Sequence, residues 1–469
     1  MFPSGNAPTE HRSRAPRLTL HSVVVSLATA ILSLVLALSL TVGAAAASAS
    51  PQYRGAQVHS LWSSVSTTEM GRELDALQSA GANVVRVDVG WATLETAKGR
   101  YDATYLAKLD AFMAGAKARG LAAIATLWFT PRWASAGGAW NDPPANPADY
   151  GAFARFITAR YGSELAAVEA WNEPEINDNL VSSNLAATYT AMVKAFYAGA
   201  KEGDPGVDVL AGSLAYADVP FLKALYADGI EGFYDGISVH PYADGANPAN
   251  TAVTHSFLGG IEQLHAAQQQ AGDGTPVWVT EFGWPTGTSA GANSEQQQAE
   301  YIEQAFGILA GLPYVAGATV YQLRDMGSEP SNPEDNFGLL RQDFTPRPAY
   351  AAFAAAMRAA QGGGGPSGSF QEPPAPAPGP SGPGAPEGLP APQPGPAEPA
   401  PGPVSSTGAG SPPSGSGTQT GPSSSGGGTS GRHHRHEYRD VPVHQRKQLA
   451  RAARLSAAIR HGRRRRAVA

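Results

Sequence analysis

Between Tyr53 and Ala360 short runs of β-branched, aromatic and aliphatic residues alternate with longer stretches of helical period. Eight such runs predict strands: Gly55–His59, Asn83–Val89, Leu121–Trp128, Ala167–Trp171, Asp208–Leu214, Tyr234–His240, Pro276–Glu281 and Val315–Gln322. The stretches between them carry helix signals. Ser66 and Glu69 have capping-box spacing ahead of Met70, Leu74 and Leu77, and Gly81 stops the helix. Asn146 precedes Pro147, with Tyr150, Phe153 and Ile157 along one face. Ser294 and Gln297 open another helix containing Tyr301, Ala305 and Leu309, and Pro348 to Met357 supply a closing one. Strand and helix in regular alternation mark parallel α/β architecture. Eight of each close most naturally into a (β/α)8 TIM barrel, a fold that suits a core of roughly 300 residues. An open doubly wound sheet is the other arrangement, but no Gly-rich phosphate loop follows the first strand.

The pattern changes at both ends. Residues 1–49 hold Arg12, Arg14 and Arg17, then an apolar stretch from Leu18 to Val42, then small residues ending Ala47-Ser48-Ala49. That order describes a secretory signal peptide cleaved near Ala49. The apolar run is also long enough to span a bilayer as an uncleaved anchor. Either reading implies export of the domain at 50–360 to the cell surface or beyond. Residues 361–431 are dominated by Pro, Gly and Ser, which bury too little apolar area to offset the entropy of ordering, so a disordered linker is expected. The tail at 432–469 carries a net charge of about +10, although the whole chain is −6. Segregated positive charge suggests attraction to an anionic surface such as membrane lipid or acidic glycan, rather than to a specific nucleic acid; a solvated end is the alternative. Nothing in the sequence indicates an oligomeric state.

Cysteine is absent, which excludes disulfides, thiolate catalysis and Cys-based metal centres. No His and carboxylate group in the barrel region has metal-ligand spacing, and His433, His434 and His436 belong to the basic tail, so neither metal nor cofactor is expected.

Catalytic groups of a parallel barrel stand at the C-terminal ends of its strands. The fourth strand ends Trp171-Asn172-Glu173-Pro174 and the seventh Val279-Thr280-Glu281-Phe282-Gly283-Trp284. Two carboxylates on these strands can face each other across the mouth. Such a pair suits glycosidic cleavage, because the leaving oxygen needs a proton while positive charge develops at the anomeric carbon. A gap of roughly 5–5.5 Å would let the ionised member attack directly and retain configuration. Each acid could otherwise be a helix-entry residue favoured by the macrodipole.

These motifs resemble glycoside hydrolase clan A, over about Gln52 to Ala360. The resemblance implies that Glu173 is the general acid/base and Glu281 the nucleophile of a retaining glycosidase. It gives Asn172 a hydrogen bond to the sugar 2-hydroxyl, and Arg86, within Val84-Val85-Arg86-Val87, support of the nucleophile. His240-Pro241-Tyr242 is similar to a sixth-strand motif whose His and Tyr line the cleft and tune the nucleophile. The chain departs from the cellulase-like family 5 in lacking a His near the end of the third strand, at Thr126-Leu127-Trp128-Phe129-Thr130-Pro131. The eighth strand ends Tyr321-Gln322-Leu323 where many relatives place Trp. The motif wording is closer to family 39-like enzymes acting on β-linked xylosides or exopolysaccharides.

Tryptophans add to this picture. Trp62, Trp91, Trp128, Trp171 and Trp284 fall at predicted strand ends, Trp133 and Trp140 in the third βα loop, and Trp278 within a strand. Trp91, Trp128 and Trp284 are the expected stacking platforms for sugar faces. A catalytically silent carbohydrate-binding barrel and an envelope-remodelling transglycosylase are the competing functional readings.

Overall fold

A computed structural model describes residues 51–359 except Asn177. The expected signal or anchor segment, linker and basic tail lie outside the described residues, as does Ala360. Among the described residues no helix is long and apolar enough to cross a membrane.

Eight parallel strands form a closed barrel in which each pairs with its neighbours in sequence and the last with the first. They are β1 (Tyr53–Val58), β2 (Val84–Gly90), β3 (Ala122–Trp128), β4 (Leu165–Ala170), β5 (Asp208–Ala215), β6 (Gly236–His240), β7 (Val277–Phe282) and β8 (Val315–Val320). Eight helices follow them in turn: α1 (Thr67–Ala80), α2 (Ala103–Ala118), α3 (Pro147–Tyr161), α4 (Leu185–Gly203), α5 (Val219–Ala227), α6 (Phe257–Ala271), α7 (Glu295–Ala310) and α8 (Pro348–Ala359). This is the TIM barrel that the alternation predicts. The capping boxes at Ser66 and Ser294 both form, and Gly81 ends α1 in the left-handed region at φ 85°. Two details differ from the sequence reading. Strand β4 stops at Ala170 because Trp171 turns to φ 71° and leaves the extended region. A short antiparallel hairpin, Glu95–Ala97 with Arg100–Tyr101, stands between β2 and α2.

The barrel interior is stratified. Its floor is apolar, with Val84, Ile124, Ala167 and Leu210 packed around Trp278, which is almost fully buried. A ring this large fits because the strands beside it offer glycine. A Cβ on Gly317 would lie 2.3 Å from the Trp278 ring, and one on Gly236 would lie 2.8 Å from it. Above the floor comes a buried polar layer, Gln57, Arg86, Thr126, Glu169 and Thr280, whose contacts are described below. A register shift on the β7–β8 edge, between Val279 and Phe282, breaks the strict alternation there. Thr280 and Glu281, consecutive residues, consequently both touch the polar interior.

Gly317→Ala should lower stability by about 1–3 kcal/mol, since the added methyl overpacks the floor. Gly307→Ala, on an open face of α7 with no atom near its new Cβ, should raise it by about 0.4–1 kcal/mol. Urea unfolding midpoints of the two variants would check both signs.

Candidate active site

The site is built around Arg86. Its side chain is fully buried and its fork of donors reaches four partners from three other strands or their ends. Nη2 and Nε bond Glu169 Oε2 at 2.6 and 3.0 Å. Nη1 bonds Glu281 Oε1 at 2.6 Å and also Gln57 Oε1, and Nη2 bonds Asn172 Oδ1 at 2.9 Å. Burial alone would weaken the guanidinium's hold on its proton, but Glu169, Glu281 and Asp88 raise it above the ordinary arginine value.

Glu169 is the partner that sequence reasoning missed. It lies fully buried on β4, where burial opposes its charge, yet Arg86, His240 and Thr126 together hold it below the usual carboxylate range. Thr126 donates to Oε2 at 2.7 Å and Thr280 to Oε1 at 2.8 Å, so both oxygens are engaged. A charged residue within the otherwise apolar run Leu165–Ala170 was the available signal.

The two carboxyls expected to react stand above this layer. An oxygen of Glu173, an oxygen of Glu281 and a ring nitrogen of His240 lie within 4.8 Å of one another. Glu281 is gripped at both oxygens, by Arg86 on Oε1 and by the Tyr242 hydroxyl on Oε2 at 2.8 Å. Glu173 Oε1 is 3.1 Å from His240 Nδ1, while Glu281 Oε2 is 3.7 Å from the same nitrogen. His240 therefore contacts Glu173 more closely than Glu281, and Tyr242 is the residue that bonds Glu281. The trio is the one group among the described residues whose spacing would also suit a metal ion. A cation there would sit beside the Arg86 guanidinium and compete with it for Glu281.

The loop carrying Glu173 is held in an uncommon shape. Trp171 and Glu173 have positive φ, 71° and 46°. Such residues persist where surrounding contacts over-determine them. The Trp171 indole N–H donates to the Asn179 carbonyl, and Asn179 Nδ2 donates to the carbonyls of Asn172 and Glu173. Arg86 claims Asn172 Oδ1, which leaves the amide nitrogen of Asn172 as the donor for an incoming hydroxyl.

The tryptophan expectation does not survive. Trp91, Trp128 and Trp284 are 0–1% exposed and present no face to a ligand. Trp91 packs on Phe153 and bonds Glu95, Trp284 bonds the Ala246 carbonyl, and Trp128 stacks on Phe129. They anchor βα loops, for which a strand-end position is equally suited. Arg86 and His240 are likewise fully buried, so each acts through the carboxylates rather than on a sugar.

The exposed aromatic at this rim is Tyr216, 41% accessible, which directly follows β5. Its ring stacks on His255, and its centroid is 6.4 Å from that of Tyr242. Weighing tryptophans alone concealed it. On the opposite side, a cavity of about 400 Å³ is lined by Trp62, Asp88, Tyr105, Lys108 and Phe129 among others. One of its lining residues, Asp88, accepts from Gln57, which in turn contacts Arg86.

The cellulase model of glycosyl hydrolase family 5 matches residues 43–310. Among solved structures, a family 39 glycoside hydrolase from Bacteroides cellulosilyticus WH2 is similar at 23% identity and a TM-score of 0.54, over 66% of this chain and 64% of that one. An exo-β-1,4-mannosidase from Opitutaceae bacterium strain TAV5 is similar at 19% identity and 0.51, over 66% and 59%. A subfamily 18 member of family 5 from Streptomyces cattleya, in complex with GlcNAc, is similar at 19% and 0.55, over 66% and 80%. The chain thus spans less than two thirds of the first two of these structures, and the likeness to all three is one of fold. No curated protein matches the chain.

Arg86→Leu should destabilise the fold by about 3–5 kcal/mol, because Glu169 and Glu281 would be left buried without their cation. Acidification offers a second check. A carboxylate with a depressed folded pKa stabilises the fold above its unfolded pKa, about 4.3 for Glu, and that contribution disappears as pH falls through the folded value. Wild-type stability should therefore drop below about pH 4 with a component that Glu169→Gln lacks, read from thermal unfolding at stepped pH.

Proposed function

Because the chain belongs to glycosyl hydrolase family 5, we propose that it is a retaining glycosidase acting on a β-linked poly- or oligosaccharide by double displacement. One observation carries this reading: reactive oxygens of Glu173 and Glu281 within 4.8 Å. An oxygen of each carboxyl within that bound is compatible with the roughly 5–5.5 Å carboxyl separation of retaining enzymes, in which the ionised member attacks directly.

In the first step Glu281, held by Arg86 and Tyr242, attacks the anomeric carbon while Glu173 protonates the departing oxygen. In the second, Glu173 takes a proton from water as that water displaces Glu281. Asn172 Nδ2 donates to the 2-hydroxyl, a bond that strengthens as charge develops at the neighbouring carbon. Glu173 follows β4 and the exposed Tyr216 follows the neighbouring β5, and this reading gives Tyr216 to the leaving-group sugar as its stacking face. A β-linkage agrees with the exo-β-1,4-mannosidase among the similar structures.

Export is supported by the basic, apolar and small-residue order of residues 1–49, and retention at an anionic surface by the positive charge of residues 432–469. If that charge retains the protein, deleting 432–469 should weaken binding to anionic vesicles in a salt-sensitive way and leave turnover of small substrates unchanged.

The function itself is tested with a panel of aryl β-glycosides and polysaccharides. Glu281→Gln should abolish turnover, and Glu173→Gln should lower it by about 10²–10⁴. The loss at Glu173 should be smallest for the most acidic leaving groups. Proton NMR of the first product formed should show the substrate's own anomeric configuration. The opposite anomer would overturn the double-displacement reading, and glycan binding without turnover would favour a carbohydrate-binding barrel. Tyr216→Ala should raise KM for oligosaccharides about three- to tenfold, the worth of one stacked ring.

A further inference from the structure

The hydrogen bonds beneath Glu173 have a direction, and it can be followed proton by proton. Glu169 is ionised and accepts from Arg86 and Thr126 at Oε2, so it can only accept from Thr280 at Oε1. The Thr280 hydroxyl has one hydrogen, which is committed to that bond. Toward His240 Nε2, 3.2 Å away, Thr280 Oγ1 then presents a lone pair, and Nε2 must carry a hydrogen. In a neutral imidazole the other nitrogen is a bare acceptor. With the ring neutral, that nitrogen, Nδ1, faces Glu173 Oε1 at 3.1 Å and the contact holds only if Glu173 supplies the hydrogen; an imidazolium would instead donate from Nδ1 to an ionised Glu173, and the test below separates the two.

We propose that Glu169 and Thr280 are positioning residues that fix His240 as its Nε2–H tautomer, so that the Nδ1 lone pair keeps the catalytic proton on Glu173. This rests on Glu173 being the acid/base, as proposed above. The opposite tautomer would do harm. An Nδ1–H group would donate to Glu173 as an anion and leave no hydrogen for the departing sugar oxygen. The tautomer has no other anchor among the described contacts of His240. Beyond these carboxylates and Thr280 it meets the edge of Tyr242, at 6.5 Å between ring centroids.

The lock also suits the second half of the reaction. Once Glu173 has passed its hydrogen to the leaving oxygen, its carboxylate faces the same lone pair. Two acceptors in contact repel, which favours Glu173 recovering a proton from the attacking water. Atoms balance over the cycle: one hydrogen leaves Glu173 with the alcohol released, and one returns from water.

Reversing the chain tests the idea. In Glu169→Gln, Arg86 and Thr126 still require an oxygen at Oε2, so the amide NH2 must face Thr280. Thr280 then accepts from the amide and donates to His240 Nε2, which moves the imidazole hydrogen to Nδ1. Nitrogen-15 NMR of histidine-labelled full-length protein reads this directly and needs no substrate. The chain has 11 histidines, and the signals of His240 are those lost in His240→Asn. Expected are a protonated-type Nε2 in the wild type and in Thr280→Ser, and a protonated-type Nδ1 in Glu169→Gln. Should Glu169→Gln fail to fold, Thr280→Val removes the same anchor at nearly constant shape and should give a mixture of tautomers. A wild-type His240 with unprotonated Nε2 or with both nitrogens protonated, or a tautomer unchanged in a folded Glu169→Gln or Thr280→Val protein, would overturn the proposal. Because tautomer and turnover are measured separately, the lock can fail while the glycosidase reading stands, and the reverse.

Discussion

The buried guanidinium of Arg86 is the constraint on which the rest of the site depends. Removing a charge from water costs several kcal/mol, and a buried ion pair offsets that cost only when every remaining donor and acceptor is matched. Here the matching is done by geometry that only closure of the barrel supplies. Gln57 comes from β1, Glu169 from β4, Asn172 from the turn after β4 and Glu281 from β7, and a planar fork reaches all of them at once. A lysine, with one point charge, could not satisfy four acceptors in those directions. The reactive geometry and the internal order of the barrel are thus one arrangement. Whatever orients Arg86 also sets the position of Glu281 and the face that Asn172 turns toward a sugar.

The strata of the interior divide labour by polarity. The floor around Trp278 excludes water by packing and gives the polar layer above it something rigid to rest on. That layer has its donors and acceptors paired, as a buried polar network must to be tolerated. Irregular backbone gathers at the mouth, although Gly212 and Ser213 within β5 also have positive φ. Positive φ at Trp171 and Glu173 after β4, at Tyr216 and Ala217 after β5, and at Asp244 after β6 bends three successive loops beside the reactive pair. Regular strands end where functional side chains need directions that an extended chain does not provide.

The strands and the two carboxylates were legible in the sequence because both are recorded locally. Periodicity marks a strand, and a motif at its end marks what stands on the mouth. What was hidden depends on which way a residue faces after the strand stops. Trp91, Trp128 and Trp284 end strands and yet turn into the wall, while Tyr216, in the same kind of position, remains accessible. Sequence position gives the height along the barrel and not the direction. Glu169 was hidden for another reason. Its partners are 43 to 111 residues away, and only the closed sheet brings Thr126, Arg86 and Thr280 around it. The residue order gave the family resemblance its force, but the network behind the motif is a property of the barrel.

The two carboxyls differ in what holds them, and that difference suits the roles proposed for them. Glu281 meets a permanent cation and a phenol, groups that only donate to it here, so its surroundings favour charge throughout a cycle. Glu173 meets an imidazole and an amide, His240 at 3.1 Å and Asn179 at 3.5 Å, and the imidazole can stand on either side of a proton transfer. A nucleophile must stay ionised until it attacks, whereas an acid/base must give a proton and then regain one. A fixed positive partner serves the first need and would defeat the second. The closest partner of each carboxyl is a different one, Arg86 or Tyr242 for Glu281 and His240 for Glu173, so opposite requirements can be met within 4.8 Å although His240 Nδ1 also lies 3.7 Å from Glu281.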